Sequence, residues 1–110
     1  MKQEWRMSSK QQFNSFKEFY PFYLSQHQNK INRLLHFVGL WLVLLLLVYA
    51  YLMSSIGFVI LAIVAGYGFA WIGHYVFEKN KPATFEHPFY SFMADWVMFK
   101  DIFTGDIKIF

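Results

Sequence analysis

Residues 34–77 read LLHFVGLWLVLLLLVYAYLMSSIGFVILAIVAGYGFAWIGHYVF, and none of these 44 residues is aspartate, glutamate, lysine or arginine. The serine pair at 54 and 55 divides the run into two apolar segments, residues 34–53 and residues 55–77. A helix of about 20 residues is about 30 Å long, which matches the hydrocarbon core of a bilayer. A soluble core helix would carry a polar face, and the leucine-rich first segment has none. The sequence therefore predicts an all-α fold, an integral membrane hairpin of two transmembrane helices.

Length and composition exclude several other classes of protein. The chain has 110 residues, of which 15% are charged and none is cysteine, so we expect one membrane domain over residues 1–110. A soluble domain usually carries about 25% charged residues. The absence of cysteine excludes disulfide scaffolds and thiolate metal sites. The basic residues are scattered rather than clustered, and no phosphate loop, hydrolase elbow or nucleic-acid motif is present, so no nucleic-acid partner is expected.

The positions of the charges predict the orientation in the membrane. All ten lysines and arginines lie outside residues 34–77. Because positive residues are enriched on the cytoplasmic side, both termini are expected in the cytoplasm, with the serine turn outside. The expected location is the bacterial inner membrane, or the endoplasmic reticulum if the source is eukaryotic.

The segments that flank the two spans are predicted to be interfacial amphipathic helices. Ser15 and Glu18 have the spacing of a capping box and predict a helix over about residues 15–26. Pro88 has the position of a first helical residue and predicts a second helix over about residues 88–104. This second helix carries aromatic residues at steps of three and four, a stripe that we assign to packing and acyl-chain contact.

Four histidines are predicted to lie at one depth, near the cytoplasmic ends of the spans. His36 follows the last charge before the first span by three residues, and His74 precedes the first charge after the second span by four. Since the spans are antiparallel, both lie about one turn inside the same interface, and His27 and His87 flank them. A single interfacial histidine usually forms only hydrogen bonds. Four imidazoles at one level, two of them in lipid, indicate a metal site.

The ligand types and the helix faces narrow this hypothesis. Nitrogen and oxygen ligands suit iron, zinc, copper or manganese, and the histidine clusters of two-iron membrane oxygenases are absent, so one metal ion is expected. Glu78 lies one helical turn beyond His74 on the same face, within reach as a hydrogen-bond acceptor or as a carboxylate ligand. Small residues form a four-step ridge that ends at His74 and permits close helix approach. The ridge is Ala62, Gly66, Ala70 and His74. It serves either the first span or a second copy of the chain, so a homo-oligomer stays open.

Two blocks of sequence carry a family resemblance. The first is FYPFYLSQHQN at residues 19–29, followed by Asn32, Arg33 and HFVG at residues 36–39. The second is Gly73 with His74, FEKNKPATF at residues 77–85, His87 with Pro88, and Asp95 with Trp96. Together, and over about residues 13–105, they resemble the small membrane-protein family whose yeast member is a 2-hydroxy fatty acid dioxygenase in phytosphingosine breakdown. Bacterial members of that family were long catalogued only as a domain of unknown function.

The resemblance implies an iron(II)-dependent oxygenase that converts a 2-hydroxy fatty acid and O2 into a fatty acid one carbon shorter. It implies that Fe(2+) is held by the catalytic histidines His27, His36, His74 and His87. Seven polar residues are expected to hydrogen-bond the histidines or to bind the substrate carboxylate: Asn29, Asn32, Arg33, Glu78, Lys79, Asn80 and Lys81. Four histidines and a bidentate substrate would fill six positions and leave none for O2. One histidine is therefore not a permanent ligand, or the substrate binds through one oxygen.

Two alternatives remain open from the sequence. One is a non-enzymatic membrane module for lipid binding or assembly, whose histidines only hydrogen-bond at the interface. The other is a zinc site used for structure or for hydrolysis, which the identity of the metal would distinguish from iron.

Overall fold

The computed structural model describes residues 12–109, and the predicted domain extends beyond them at both ends. Within the described residues the protein is all-helical and contains no strand. A π-helical turn, Gly73–Glu78, continues the third helix, and a 3-10 turn, Ala83–Phe85, precedes the fourth. The α-helices are α1 Phe16–Ser25, α2 Lys30–Met53, α3 Ile56–Ile72 and α4 Pro88–Thr104.

Helices α2 and α3 form the predicted hairpin, and the serine pair makes the turn. Ser54 adopts the left-handed conformation, with φ 49°, and its N–H donates to the carbonyls of Ala50 and Tyr51. Ser55 is extended and precedes the first residue of α3. Because the left-handed residue stops α2 and the extended residue starts α3, two residues reverse the chain.

The two hairpin helices are long and apolar enough to cross a membrane. Lys30–Met53 has 24 residues and Ile56–Glu78 has 23, with mean hydropathies of 2.2 and 2.1. Only 17% and 11% of these most apolar windows are buried inside the protein. A soluble core helix would bury most of its apolar side chains, whereas here Tyr51 is 84% and Ile56 73% exposed. These exposed apolar helices suggest a membrane protein.

Helix α2 begins four residues before the charge-free run, because Asn29 caps it. The Asn29 Oδ1 accepts from the N–H groups of Ile31 and Asn32, at 2.8 and 3.1 Å. Small residues then let α2 and α3 approach closely. A Cβ added at Gly39 would lie 2.8 Å from the Cβ of Phe69. On α3 the predicted small-residue ridge faces α2, since a Cβ at Gly66 would lie 3.0 Å from a methyl group of Val43.

The flanking helices α1 and α4 pack on each other and form a small core at the histidine end of the hairpin. This core consists of Phe19, Tyr23, Ala83, Ala94, Met98 and Ile102. Helix α1 begins as predicted, since the Ser15 Oγ accepts from the Glu18 N–H at 3.2 Å. The reciprocal bond of the capping box is shifted by one residue, because the Glu18 carboxylate accepts from the N–H of Asn14.

Helix α4 has the predicted ends but packs with a different face. It begins at Pro88, and Gly105 ends it in the left-handed region with φ 88°. The residues that it buries are Ser91, Ala94, Met98 and Ile102. Of the aromatic stripe assigned to packing and acyl-chain contact, Phe89, Phe92 and Phe103 are exposed, whereas Phe99 packs on Phe37 of α2 with ring centres 5.0 Å apart. Small and flexible side chains permit the closer packing, and exposed aromatic rings are typical of a membrane interface.

Candidate metal centre

Three of the four predicted histidines meet in one buried cluster. His27 lies in the loop between α1 and α2, His36 lies in the second turn of α2, and His74 lies in the π-helical turn after α3. All three side chains are buried, with at most 5% of their surface exposed. One ring nitrogen of each histidine lies within 4.8 Å of the corresponding atoms of the other two. We call this group the histidine cluster.

Backbone carbonyls determine which nitrogen carries the proton in His27 and His36. The Nδ1 of His27 lies 2.7 Å from the carbonyl oxygen of Tyr23, and the Nδ1 of His36 lies 2.9 Å from that of Asn32. A carbonyl oxygen only accepts, so each Nδ1 must be the donor. The Nε2 of each neutral ring therefore keeps a free lone pair.

In His74 the side chain of an asparagine determines which ring nitrogen carries the proton. The Nδ1 of His74 lies 2.7 Å from the Oδ1 of Asn80. The amide nitrogen of Asn80 donates to the carbonyl oxygen and the Oε1 of Gln26, at 3.0 and 3.2 Å, and these acceptors fix the orientation of the amide. All three Nδ1 atoms are thus bound outward and all three Nε2 atoms are free, which is the arrangement that metal-ligating histidines show.

The spacing inside the cluster favours a bound cation. The Nε2 atoms of His27 and His36 are 3.3 Å apart, so two lone pairs face each other unless a cation lies between them. Burial, and the nearby rings of His36 and His74, lower the pKa of His27 well below its ordinary value, which disfavours a shared proton. The cavity that the three rings line has a volume of about 30 Å³, enough for one ion or one water. The cluster is therefore suited to a metal ion.

Glu78 connects the end of the second span to the start of the first. Its carboxylate accepts from the N–H groups of Gln28 and Asn29, at 3.2 and 2.8 Å, and from the side-chain amide of Asn32, at 3.0 Å. A carboxylate at a helix N-terminus is stabilised by the unpaired amides there. Glu78 is not one of the converging ligand groups, so its contacts favour the hydrogen-bonding role over the ligand role.

The three basic residues expected near a substrate carboxylate do not line the histidine cavity among the described residues. The Nε of Arg33 donates to the carbonyl of His27 at 2.6 Å, which holds the loop that carries this histidine. Lys79 ends the π-helical turn in the left-handed conformation, with φ 61°. Lys81 is exposed, and its Nζ lies 5.5 Å from the centre of the Phe85 ring.

The structure does not bring His87 into the histidine cluster. His87 precedes the first residue of α4, and its ring lies against those of Phe13, Phe19 and Phe22, at centroid distances of 5.1, 5.4 and 6.2 Å. It does not line the 30 Å³ cavity that the other three histidines share in the described part of the chain.

Sequence reasoning missed three polar residues that line the same cavity. Tyr23 stacks on His27 with ring centres 3.9 Å apart and donates its hydroxyl hydrogen bond to Asp95. Burial raises the pKa of Asp95 to about 7. The Oγ of Ser91 is buried and has no hydrogen-bond partner within residues 12–109. The sequence did contain a signal for these residues. Tyr23 and Asp95 lie in the two blocks that carry the family resemblance, and Ser91 precedes Asp95 by one helical turn.

Removing the support of His74 is expected to weaken metal binding without removing a ligand. In Asn80→Ala the Nδ1 of His74 loses its acceptor, and we expect metal affinity to fall about 10- to 100-fold. Competition with a chelator in detergent solution measures this affinity. Asn14→Ala, which changes an exposed asparagine before α1, is the matched control and is expected to bind as wild type. Equal affinities in the two variants would contradict the role of Asn80.

Comparison with known proteins identifies one family. Residues 13–107 match the model of the family described as 2-hydroxy-palmitic acid dioxygenase Mpo1-like. Neither a curated protein nor a solved structure matches the chain. The matched residues include the whole histidine cluster and the hydrogen-bond partners of its rings. By this match over most of its length, and in agreement with the two blocks of sequence, the chain belongs to the Mpo1-like family.

Proposed function

We propose that this protein is an iron(II)-dependent membrane dioxygenase that shortens 2-hydroxy fatty acids by one carbon. The observation that carries the proposal is the convergence of three free Nε2 lone pairs in a buried cavity. The description of the family supports the substrate class and the use of O2. The exposed apolar helices support a membrane location, where such a substrate dissolves.

The residues present fit a single iron ion. His27, His36 and His74 would hold it through neutral imidazoles, which non-haem iron accepts well. When bound, iron(II) supplies the activation of O2 and a positive charge for the 2-hydroxy carboxylate. The Nδ1 hydrogen bonds to Tyr23, Asn32 and Asn80 keep the three rings aimed at one point.

The proposed reaction needs no reductant besides its substrate. A 2-hydroxy acid R–CH(OH)–COOH and O2 give R–COOH, CO2 and H2O, so the bond between C1 and C2 breaks. The four electrons that reduce O2 come from these two carbons, since C2 becomes the new carboxyl carbon and C1 leaves as CO2. This balance agrees with a site that shows no motif for a nicotinamide or flavin.

The protein's own groups would bind and orient the head of the substrate. Ser91 offers an unpartnered hydroxyl among the described residues of the histidine cavity, and Asp95 offers a carboxyl whose pKa is raised by burial to about 7. The burial of the cluster would exclude water from the reacting carbons. The positions of the lysines and arginines support a cytoplasmic location for both termini, which would put the cluster at the cytoplasmic end of the hairpin in the inner membrane.

The direct test uses 2-hydroxypalmitate labelled at its carboxyl carbon. The protein is purified in detergent without a polyhistidine tag, loaded anaerobically with iron(II) and then exposed to O2. We expect labelled CO2 and unlabelled pentadecanoate in equal amounts, matched by the O2 consumed. Labelled palmitate, which lacks the 2-hydroxyl group, is the control and is expected to be left unchanged. An iron-loaded protein that releases no labelled CO2 would exclude the proposed reaction.

A further inference from the structure

A second, larger cavity lies beside the histidine cavity. It has a volume of about 230 Å³ and is lined by residues of α2, α3 and α4. Leu40, Val43 and Leu47 line it from α2, and Ala62 and Gly66 line it from α3. These side chains are apolar, and they follow the cavity away from the histidines toward the serine turn.

The two cavities adjoin each other and share part of their walls. Tyr67, Ala70, Thr84 and Asp95 line both of them. The histidine cavity has room for an ion but not for a hydrocarbon chain, because its volume is only about 30 Å³. A molecule with a polar head and an apolar tail would therefore place its head at the shared wall and its tail in the larger cavity.

The distance from the histidine cluster to the inner end of the larger cavity is comparable with the length of an acyl chain. His36 and Leu47 are separated by eleven residues of α2, which corresponds to about 16 Å along the helix. One leaflet of a bilayer, half of a hydrocarbon core of about 30 Å, has a similar depth. Leu47 and Ala62 lie at the same level, because each is seven residues from the serine turn. Together they form the inner end of the cavity.

Small residues keep this space open. Ala62 is buried, with 1% of its surface exposed, and has no side chain beyond its Cβ. At Gly66 an added Cβ would lie 3.0 Å from a methyl group of Val43, so a larger residue there would push on the opposite wall of the cavity.

We infer, on the basis of the proposed function, that this cavity takes the tail of the same 2-hydroxy fatty acid whose head lies at the histidine cluster. The tail enters from the shared wall and runs toward the serine turn. Leu47 and Ala62 at the inner end determine how long a tail fits. Because the larger cavity adjoins the histidine cavity, the tail of a substrate whose head lies there is favoured over the chain of a bulk lipid.

The first test places a larger side chain at the inner end of the cavity, at a residue that is partly exposed. Leu47 is 41% exposed, so Leu47→Trp fills the cavity with little disturbance between the helices. We expect the ratio of turnover of 2-hydroxypalmitate to that of 2-hydroxyoctanoate to fall about tenfold, because only the long tail meets the new ring. Both substrates are compared at equal mole fraction in the micelles.

The matched control is Leu45→Trp, which makes the same change two residues away on a side chain that is 55% exposed and does not line the cavity. This control is expected to keep the wild-type ratio. An unchanged ratio in Leu47→Trp, or an equal loss of turnover with both chain lengths, would overturn the inference.

A second test uses the wild-type protein and does not depend on turnover. A 2-hydroxy fatty acid with a diazirine at its terminal carbon is photolysed in the iron-loaded protein, and the labelled residues are mapped by mass spectrometry. We expect labels near Leu47 and Ala62 that excess 2-hydroxypalmitate displaces. Labels confined to lipid-facing residues such as Val48 and Ile56, and not displaced, would show bulk lipid contact and overturn the inference.

The two tests also separate this inference from the proposed function. Displaceable labels at the inner end in a protein that releases no CO2 would keep the tail site and reject the oxygenase reaction. Release of CO2 with labels elsewhere would keep the reaction and reject the tail site.

Discussion

Replacing His36 with alanine is expected to remove the metal and, with it, all turnover of a 2-hydroxy fatty acid. The Nε2 of His36 is one of only three converging nitrogens in the described cluster, and the remaining two cannot enclose an ion. We expect metal affinity to fall by more than about a hundredfold, while the apolar spans still insert into the membrane. Elemental mass spectrometry of protein purified anaerobically without a polyhistidine tag measures the metal bound per chain.

The matched control for this experiment is His87→Phe. A phenyl ring keeps the aromatic contacts with Phe13, Phe19 and Phe22 but cannot bind a metal. We expect this variant to retain about as much metal as wild type, because His87 stands outside the histidine cluster. Loss of metal from a folded His87→Phe variant would restore the set of four ligands that the family resemblance implies.

The identity of the metal in the wild-type protein then decides between two reactions. About one iron per chain, lost in His36→Ala, supports the oxygenase. One zinc per chain would keep the site and remove the redox chemistry, since zinc has no second oxidation state in proteins. No metal after reconstitution with iron(II) would leave the three histidines as interfacial hydrogen-bonding residues.

The depth of the histidine cluster could be predicted from the sequence because the positions of the charges determine it. Arg33 and Glu78 mark the ends of the charge-free run, and helical rise then puts His36 and His74 at one level. His27 is expected at the same level, because the loop that joins it to α2 is short. Each of these predictions depends on local geometry and on the cost of burying charge in lipid, and both can be read from one chain.

The surroundings of His87 could not be predicted in the same way. Its place depends on the direction of α4, which is determined by how Ala94 and Met98 pack in the core with α1. The aromatic stripe of α4 gave a stronger periodic signal than this small-residue face, although its outer rings face away from the protein. Asp95 was missed for the same reason, since it enters the cavity only because α4 packs with that face.

The π-helical turn also had no signal in the sequence. In a regular α-helix Glu78 would lie one turn beyond His74 on the same face, which suggested that it was a possible ligand. The turn over Gly73–Glu78 is wider than an α-helical turn, and Glu78 instead reaches the amides at the start of α2. Such turns occur mostly at functional sites and depend on tertiary contacts.

Replacing Gly73 with alanine is expected to disrupt the protein more than any other change of a single methyl group. The added Cβ would lie 2.0 Å from the Oδ1 of Asn32 and 3.3 Å from its Cα, so rotation of the side chain does not relieve the contact. Asn32 is fully buried, and its amide is bound to Glu78. We therefore expect a loss of about 3 kcal/mol in the free energy of unfolding, measured by SDS titration in mixed micelles.

The same substitution is expected to affect metal binding as well, because the backbone carbonyl of Asn32 accepts a hydrogen bond from the Nδ1 of His36. A shift of Asn32 would turn that ring, so Gly73→Ala should also bind metal more weakly. Gly68→Ala is the matched control on the same helix, where a Cβ meets nothing within 4 Å and alanine favours the helix by up to about 1 kcal/mol. Equal unfolding midpoints for the two variants would contradict the close approach of the spans at Gly73. A less stable Gly73→Ala variant with wild-type metal affinity would show that the helix contact and the orientation of His36 are independent.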